Sequence, residues 1–122
     1  MLANLDYLGR PMDTELLHGT LDVLILKMLS WGPMHGFGIG RWIERLSENE
    51  LRIEEGSLYP ALYRLEKKGW VESSWGLSDN QRRAKFYRLT AKGRRRLLEN
   101  TDTWSAFARA VARVLSATRQ PA

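Results

Sequence analysis

Cysteine is absent from this chain of 122 residues. That removes disulfide scaffolds, cysteine-ligated zinc or iron–sulfur sites and cysteine nucleophiles from consideration. Long apolar runs are missing as well. The longest, Val23–Leu26, falls far short of the ~20 residues that a membrane span requires. The N-terminus lacks the basic-then-apolar order of a secretory signal, so the expectation is a cytoplasmic protein with no membrane partner. Histidine is scarce: His18 and His35 lie in different helical segments without a carboxylate pattern beside them, and no metal site is expected. Paired catalytic carboxylates, a phosphate-cradling glycine loop and a Ser–His–Asp arrangement do not stand out either. An enzyme is therefore the poorest reading, and no cofactor is expected.

What remains is a soluble, globular composition, with 43% hydrophobic and 27% charged residues. A chain of this size buries about two thirds of its unfolded surface, enough for one self-supporting core. The charge is unevenly spread. Residues 1–61 carry 5 basic and 9 acidic side chains, a net −4, whereas residues 62–122 carry 14 basic and 5 acidic, a net +9. Arg82, Arg83, Lys85, Arg88, Lys92, Arg94, Arg95 and Arg96 crowd into one segment, with no acid from Asn80 to Leu98. Such a cluster attracts polyanions, nucleic acid before acidic membrane.

Residues 1–12 show no period, contain Gly9 and Pro11, and read as a flexible arm. Asp13 or Thr14 then caps a helix whose apolar face is Leu17, Leu21, Leu24, Ile25, Met28 and Leu29, ended by Trp31-Gly32-Pro33. A second, shorter helix opens at His35-Gly36, with Ile39, Trp42, Ile43 and Leu46 at helical spacing. The acidic connector SENELRIEE leads to a third helix opening at Gly56-Ser57, whose buried side is Leu58, Leu62 and Leu65 and which Gly69 terminates. Pro60 is expected in or near its first turn.

The period then changes. Residues 71–75 and 85–89 are rich in aromatic and branched side chains and flank the turn-forming string GLSDNQRR, so a β-hairpin with a long tip is expected. Tyr87 and Leu89 would face the core, Phe86 and Arg88 the other way. Thr90 caps a last helix to about residue 117, with an apolar line of Leu97, Trp104, Ala108, Val111 and Leu115 and a kink near Thr101–Thr103 as the alternative to a straight run. At ~1.5 Å per residue that helix outruns the domain, and its stripe asks for a partner helix, most simply a second copy of the chain.

Three helices followed by a hairpin is the order of a winged helix-turn-helix, in which the third helix enters the major groove of double-stranded DNA. With the leucines inward, Ser57, Tyr59, Tyr63, Arg64 and Lys67 or Lys68 face out on that helix. Hydroxyls and a helix N-terminus suit phosphate oxygens, and arginine suits phosphate or the edge of guanine. Arg82, Arg83 and Lys85 fall at the hairpin tip and its descending strand. For Tyr59 and Tyr63 the plainer alternative is padding between helix and hairpin. Arg94–Arg96 read as solvated charge, and Trp31, Trp42, Trp70 and Trp75 as core or hinge packing.

The stretches ELLHGTLDVLILKML, HGFGIGRWIE, EEGSLYPALYRLEKKGWVES and RRAKFYRLTAKGRRRL, in that order, resemble the PadR family of bacterial transcriptional regulators over about residues 14–115. The resemblance implies a mainly α fold with a small β-hairpin. Residues 13–90 would form the winged helix-turn-helix, 91–118 a C-terminal dimerisation helix and 119–122 a tail. It implies DNA contact by Ser57, Tyr59, Arg64, Arg82, Arg83 and Lys85, with His35 as a phosphate contact. It further implies a homodimeric repressor relieved by a small aromatic or hydrophobic effector. In the compact branch a tryptophan on the last helix stacks on flat aromatic ligands between subunits, which points to Trp104, with Phe107 and Leu17 as neighbours; an ordinary seam aromatic is the alternative. The run Gly36, Gly38 and Gly40 departs from expectation, since interior glycine costs on the order of 1 kcal/mol each. From a different class, a winged-helix module that binds proteins and holds nucleic acid only non-specifically remains the rival reading.

Overall fold

The computed structural model describes the backbone of residues 14–122 and the side chains from Thr20 onward. The arm expected over residues 1–12, the cap at Asp13 and the side chains of Leu17 and His18 lie outside the described residues. The order of elements is α1 (Thr14–Leu29), β1 (Met34–His35), α2 (Gly36–Leu46), α3 (Glu55–Lys67), β2 (Val71–Leu77), β3 (Arg83–Leu89) and α4 (Ala91–Leu115). The strands form one antiparallel sheet in the order β1-β3-β2. This is the mainly α fold with a small hairpin read from the sequence. Among the described residues no helix is long and apolar enough to cross a membrane.

The core forms where three helical stripes meet one face of the sheet. Leu21, Ile25, Leu26 and Leu29 of α1, Ile39 and Ile43 of α2, and Leu58, Leu62 and Leu65 of α3 close over Val71, Tyr87 and Leu89. Each fully buried leucine or isoleucine contributes about 1.5–3 kcal/mol relative to exposure. Gly69, at φ 76°, ends α3 as expected: its N–H donates to the Glu66 carbonyl at 3.0 Å and Trp70 N–H to that of Leu65 at 3.0 Å. Those two bonds satisfy the last carbonyls of α3 and aim the chain into β2. At the other end of the hairpin Thr90 caps α4, its Oγ1 accepting from Gly93 N–H at 2.9 Å and donating to the Gly69 carbonyl at 2.7 Å.

Several expectations are corrected. β1 is a third strand of two residues, pairing Met34 with Tyr87 and His35 with Phe86. It carries no period of its own and exists because β3 offers an unpaired edge. The strands run to Leu77 and from Arg83, so the tip is only residues 78–82. There Gln81 takes the left-handed conformation, φ 59°, and Ser78 N–H reaches the Arg82 carbonyl at 2.9 Å. Pro60 lies inside α3, past its first turn, because the helix begins at Glu55. α4, by contrast, is the single helix expected, continuous through Thr101–Thr103, where Thr101 Oγ1 donates to the Leu97 carbonyl at 2.7 Å.

The tryptophans are corrected too. Trp31, Trp42 and Trp75 are exposed, each with a cation over one ring face: Lys27, Arg45 and Arg83 respectively. A cation on the ring is favourable in water and lets these side chains stay outside the core. Only Trp70 packs against the core, with Lys68 and Arg96 over its ring.

Candidate nucleic-acid interface

α3 presents a mixed outer face because its periodicity spends Leu58, Ala61, Leu62 and Leu65 on the core. Tyr59, Tyr63 and Lys67 are exposed, Ser57 and Arg64 half-buried. Lys67 Nζ sits 5.2 Å from the centre of the Tyr63 ring. Tyr59 does two things. Its ring lies on the first residue of α2, where a Cβ on Gly36 would come within 2.7 Å of Cε1. Glycine at that position is what lets the two helices of the helix-turn-helix close. Burial pushes the Tyr59 hydroxyl above the usual tyrosine range, and the Glu55 carboxylate adds to the effect. A phenol hydroxyl can donate to a phosphate oxygen.

The predicted basic residues divide into two kinds. Arg64 donates to Asp22 of α1 at 3.0 Å, which ties the recognition helix to the core helix behind it. Lys85 lies 3.8 Å from Glu66, and Glu66 also accepts the Ser73 hydroxyl. That carboxylate fastens the sheet to α3 and sets the hairpin's angle. Arg82 and Arg83 are exposed, and Arg83 stacks over Trp75 at 4.6 Å. Neither has an ion-pair partner among the described residues. His35 has a structural task. Its Nδ1 accepts from Gly38 N–H at 3.0 Å, capping α2, and its ring meets Phe86 edge-on at 5.6 Å. Nε2 is the nitrogen left for an outside partner.

Residues that the sequence reading did not assign to DNA also border this surface, Trp42 among them, which was read as core or hinge packing. Phe37, Arg41, Trp42 and Arg45 form the outer face of α2 and line a cleft of about 620 Å³ against the hairpin tip. Their pairing was visible as spacing: Phe37 and Arg41 stand four apart, Trp42 and Arg45 three apart, so each pair shares a helix face. The sequence-predicted effector residues lie elsewhere, on α4. Trp104 is half-exposed and its indole donates to Thr20 Oγ1 at 3.3 Å, while Phe107 is exposed. Leu17, the third of them, has its side chain outside the described residues.

A family profile described as the transcriptional regulator PadR-like family matches residues 25–99. A transcriptional regulator of Mycobacterium tuberculosis is 37% identical over 73 residues, covering 59% of this chain and 67% of that protein. Among solved structures, a transcriptional regulator from Clostridium thermocellum superposes with a TM-score of 0.74 at 27% identity, over 82% of this chain and 97% of that one. A regulator from Eggerthella lenta, described as of the PadR family, superposes at 0.68 with 32% identity, over 85% of this chain and 88% of its own.

Proposed function

This chain belongs to the PadR-like family of transcriptional regulators, and from that premise we propose a homodimeric, sequence-specific repressor acting in the cytoplasm. Family and fold are those of DNA-binding regulators rather than enzymes. The observation that supports the DNA-binding part of this reading is the exposed, outward surface shared by α3 and the hairpin: Tyr59, Tyr63 and Lys67 on one, Arg82 and Arg83 on the other. Recognition helix and wing would read one half-site with residues 13–90, Ser57, Arg64 and Lys85 flanking the contact and His35 adding a phosphate bond through Nε2. Residues 91–118 would dimerise through the bare apolar side of α4, leaving 119–122 as a tail.

A small aromatic or hydrophobic effector fits the same account if it seats beside Trp104, Phe107 and Leu17. It relieves repression only by preferring a spacing of the two recognition helices that misses the half-sites. Selection of duplexes from a random pool tests the reading with no operator sequence assumed. Enrichment of a palindrome with half-site centres about 10 base pairs apart, bound ~10³-fold more tightly than a scrambled duplex, is expected. Equal, salt-erased binding to every sequence would favour the protein-interaction module instead.

A further inference from the structure

The cleft between α2 and the hairpin tip is unexplained by the residues assigned so far. Arg41 and Arg45 enter it from α2 and Arg82 from the tip, against a single carboxylate, Asp79. None of the three arginines has an ion-pair partner among the described residues. Two of them are held in place without one. The Arg41 guanidinium lies 5.5 Å from the Phe37 ring centre and that of Arg45 lies 5.0 Å from the Trp42 ring. Stacking restricts a planar guanidinium while leaving its N–H edge free for two parallel bonds to an anion. Sites for enclosed small molecules are mostly apolar and bury most of the ligand. This one is open and has three arginines against one carboxylate in its lining, which suits an anionic ligand.

We propose that the cleft seats the sugar–phosphate backbone of one DNA strand, with Arg41 and Arg45 as phosphate ligands from α2 facing Arg82 across it. The assignment rests on the DNA-binding function proposed above and extends the contact surface beyond α3 and the wing. Its position is consistent with the first helix of a helix-turn-helix crossing the backbone while the second enters the groove. Contacts to phosphate fix register rather than read bases.

The test uses the full chain, a selected duplex and a scrambled one, with fluorescence anisotropy across about 50 to 200 mM salt. Arg41→Gln and Arg45→Gln should each weaken binding to both duplexes by the same factor, on the order of tenfold. Each should also lower the slope of log affinity against log salt by about 0.9, while Arg41→Lys retains the slope. Thermal melts matching the wild type show that the variants are folded. Wild-type slopes and affinities in both glutamine variants would overturn the assignment and leave the DNA-binding function standing. A loss confined to the selected duplex would also overturn it, because backbone contacts are blind to sequence. Saturable quenching of Trp42 by inorganic phosphate, with DNA slopes unchanged in the variants, would give the cleft to a free phosphate ligand. Wild-type protein that binds neither duplex at low salt would defeat the DNA-binding function itself.

Discussion

α1 and the distal half of α4 are both amphipathic helices, yet they end in opposite surroundings. Leu21, Ile25, Leu26, Met28 and Leu29 of α1 are at most 4% exposed, whereas Phe107, Val114 and Leu115 of α4 are at least 60% exposed. The proximal turn of α4 shows where the change occurs. Leu97 is buried against the core, Trp104 still reaches Thr20 of α1, and exposure rises from there to Leu115. An apolar stripe states which side of a helix seeks cover without saying what provides it. For α1 the cover is α2, α3 and the sheet. For the distal half of α4 none of the described residues supplies it, and a contiguous bare apolar strip of this kind marks an interaction surface.

The contrast can be broken most forcefully from the covered side. Leu62→Ala removes a fully buried side chain at the centre of the domain and should cost about 2–5 kcal/mol, read as a lowered denaturant midpoint. From the bare side, Phe107→Ala with Val114→Ala should do the reverse. Each deletion removes about 1.5–3 kcal/mol of potential burial between copies. Sedimentation should show a shift from dimer to monomer, with the far-ultraviolet circular dichroism of the domain unchanged. A smaller effect belongs to the wing. Arg82→Ala with Arg83→Ala should weaken binding to all duplexes alike and flatten the salt slope by about 2. Unchanged affinity would remove the wing from the interface.

The smallest expected effect is in alkaline titration. Burial raises both Tyr59 and Tyr87, with Glu55 adding to the first and Glu66, then Tyr59, to the second. A tyrosine whose folded pKa exceeds its unfolded value of about 10 binds its proton more tightly in the folded state. Its contribution to stability is therefore complete below about pH 10 and is lost as the pH rises through the folded value. Phenolate absorbance should show these two ionising late, and Tyr59→Phe should remove one of the late steps.

Much of the domain was legible because its signals are local. The leucine spacing of α1 and α3, the Thr90 cap, the Gly69 stop and the inward Tyr87 and Leu89 all depend on neighbours a few residues away. What escaped depends on distant partners. β1 is two residues long and is a strand only because Tyr87 and Phe86 arrive beside it. Arg64 looked free for DNA, and its tie to Asp22 joins residues 42 apart in sequence. The glycine required at position 36 answers to Tyr59, which lies on it from α3, 23 residues on. The exposed tryptophans are an intermediate case: two of their cations lie three or four residues away in sequence, Arg45 on the helix of Trp42 and Lys27 in the last turn before Trp31. Arg41 and Arg45 were hidden by charge averaging, since they sit in the half of the chain whose net charge is negative.

Sedimentation equilibrium of the wild-type chain at micromolar concentration, alone and with one equivalent of a selected palindromic duplex, tests the central claim most directly. The prediction is the mass of two chains in the first case, and of two chains plus one duplex in the second. A chain that remains monomeric alone and binds the duplex one to one would contradict it, because α4 would then have no second copy to cover it.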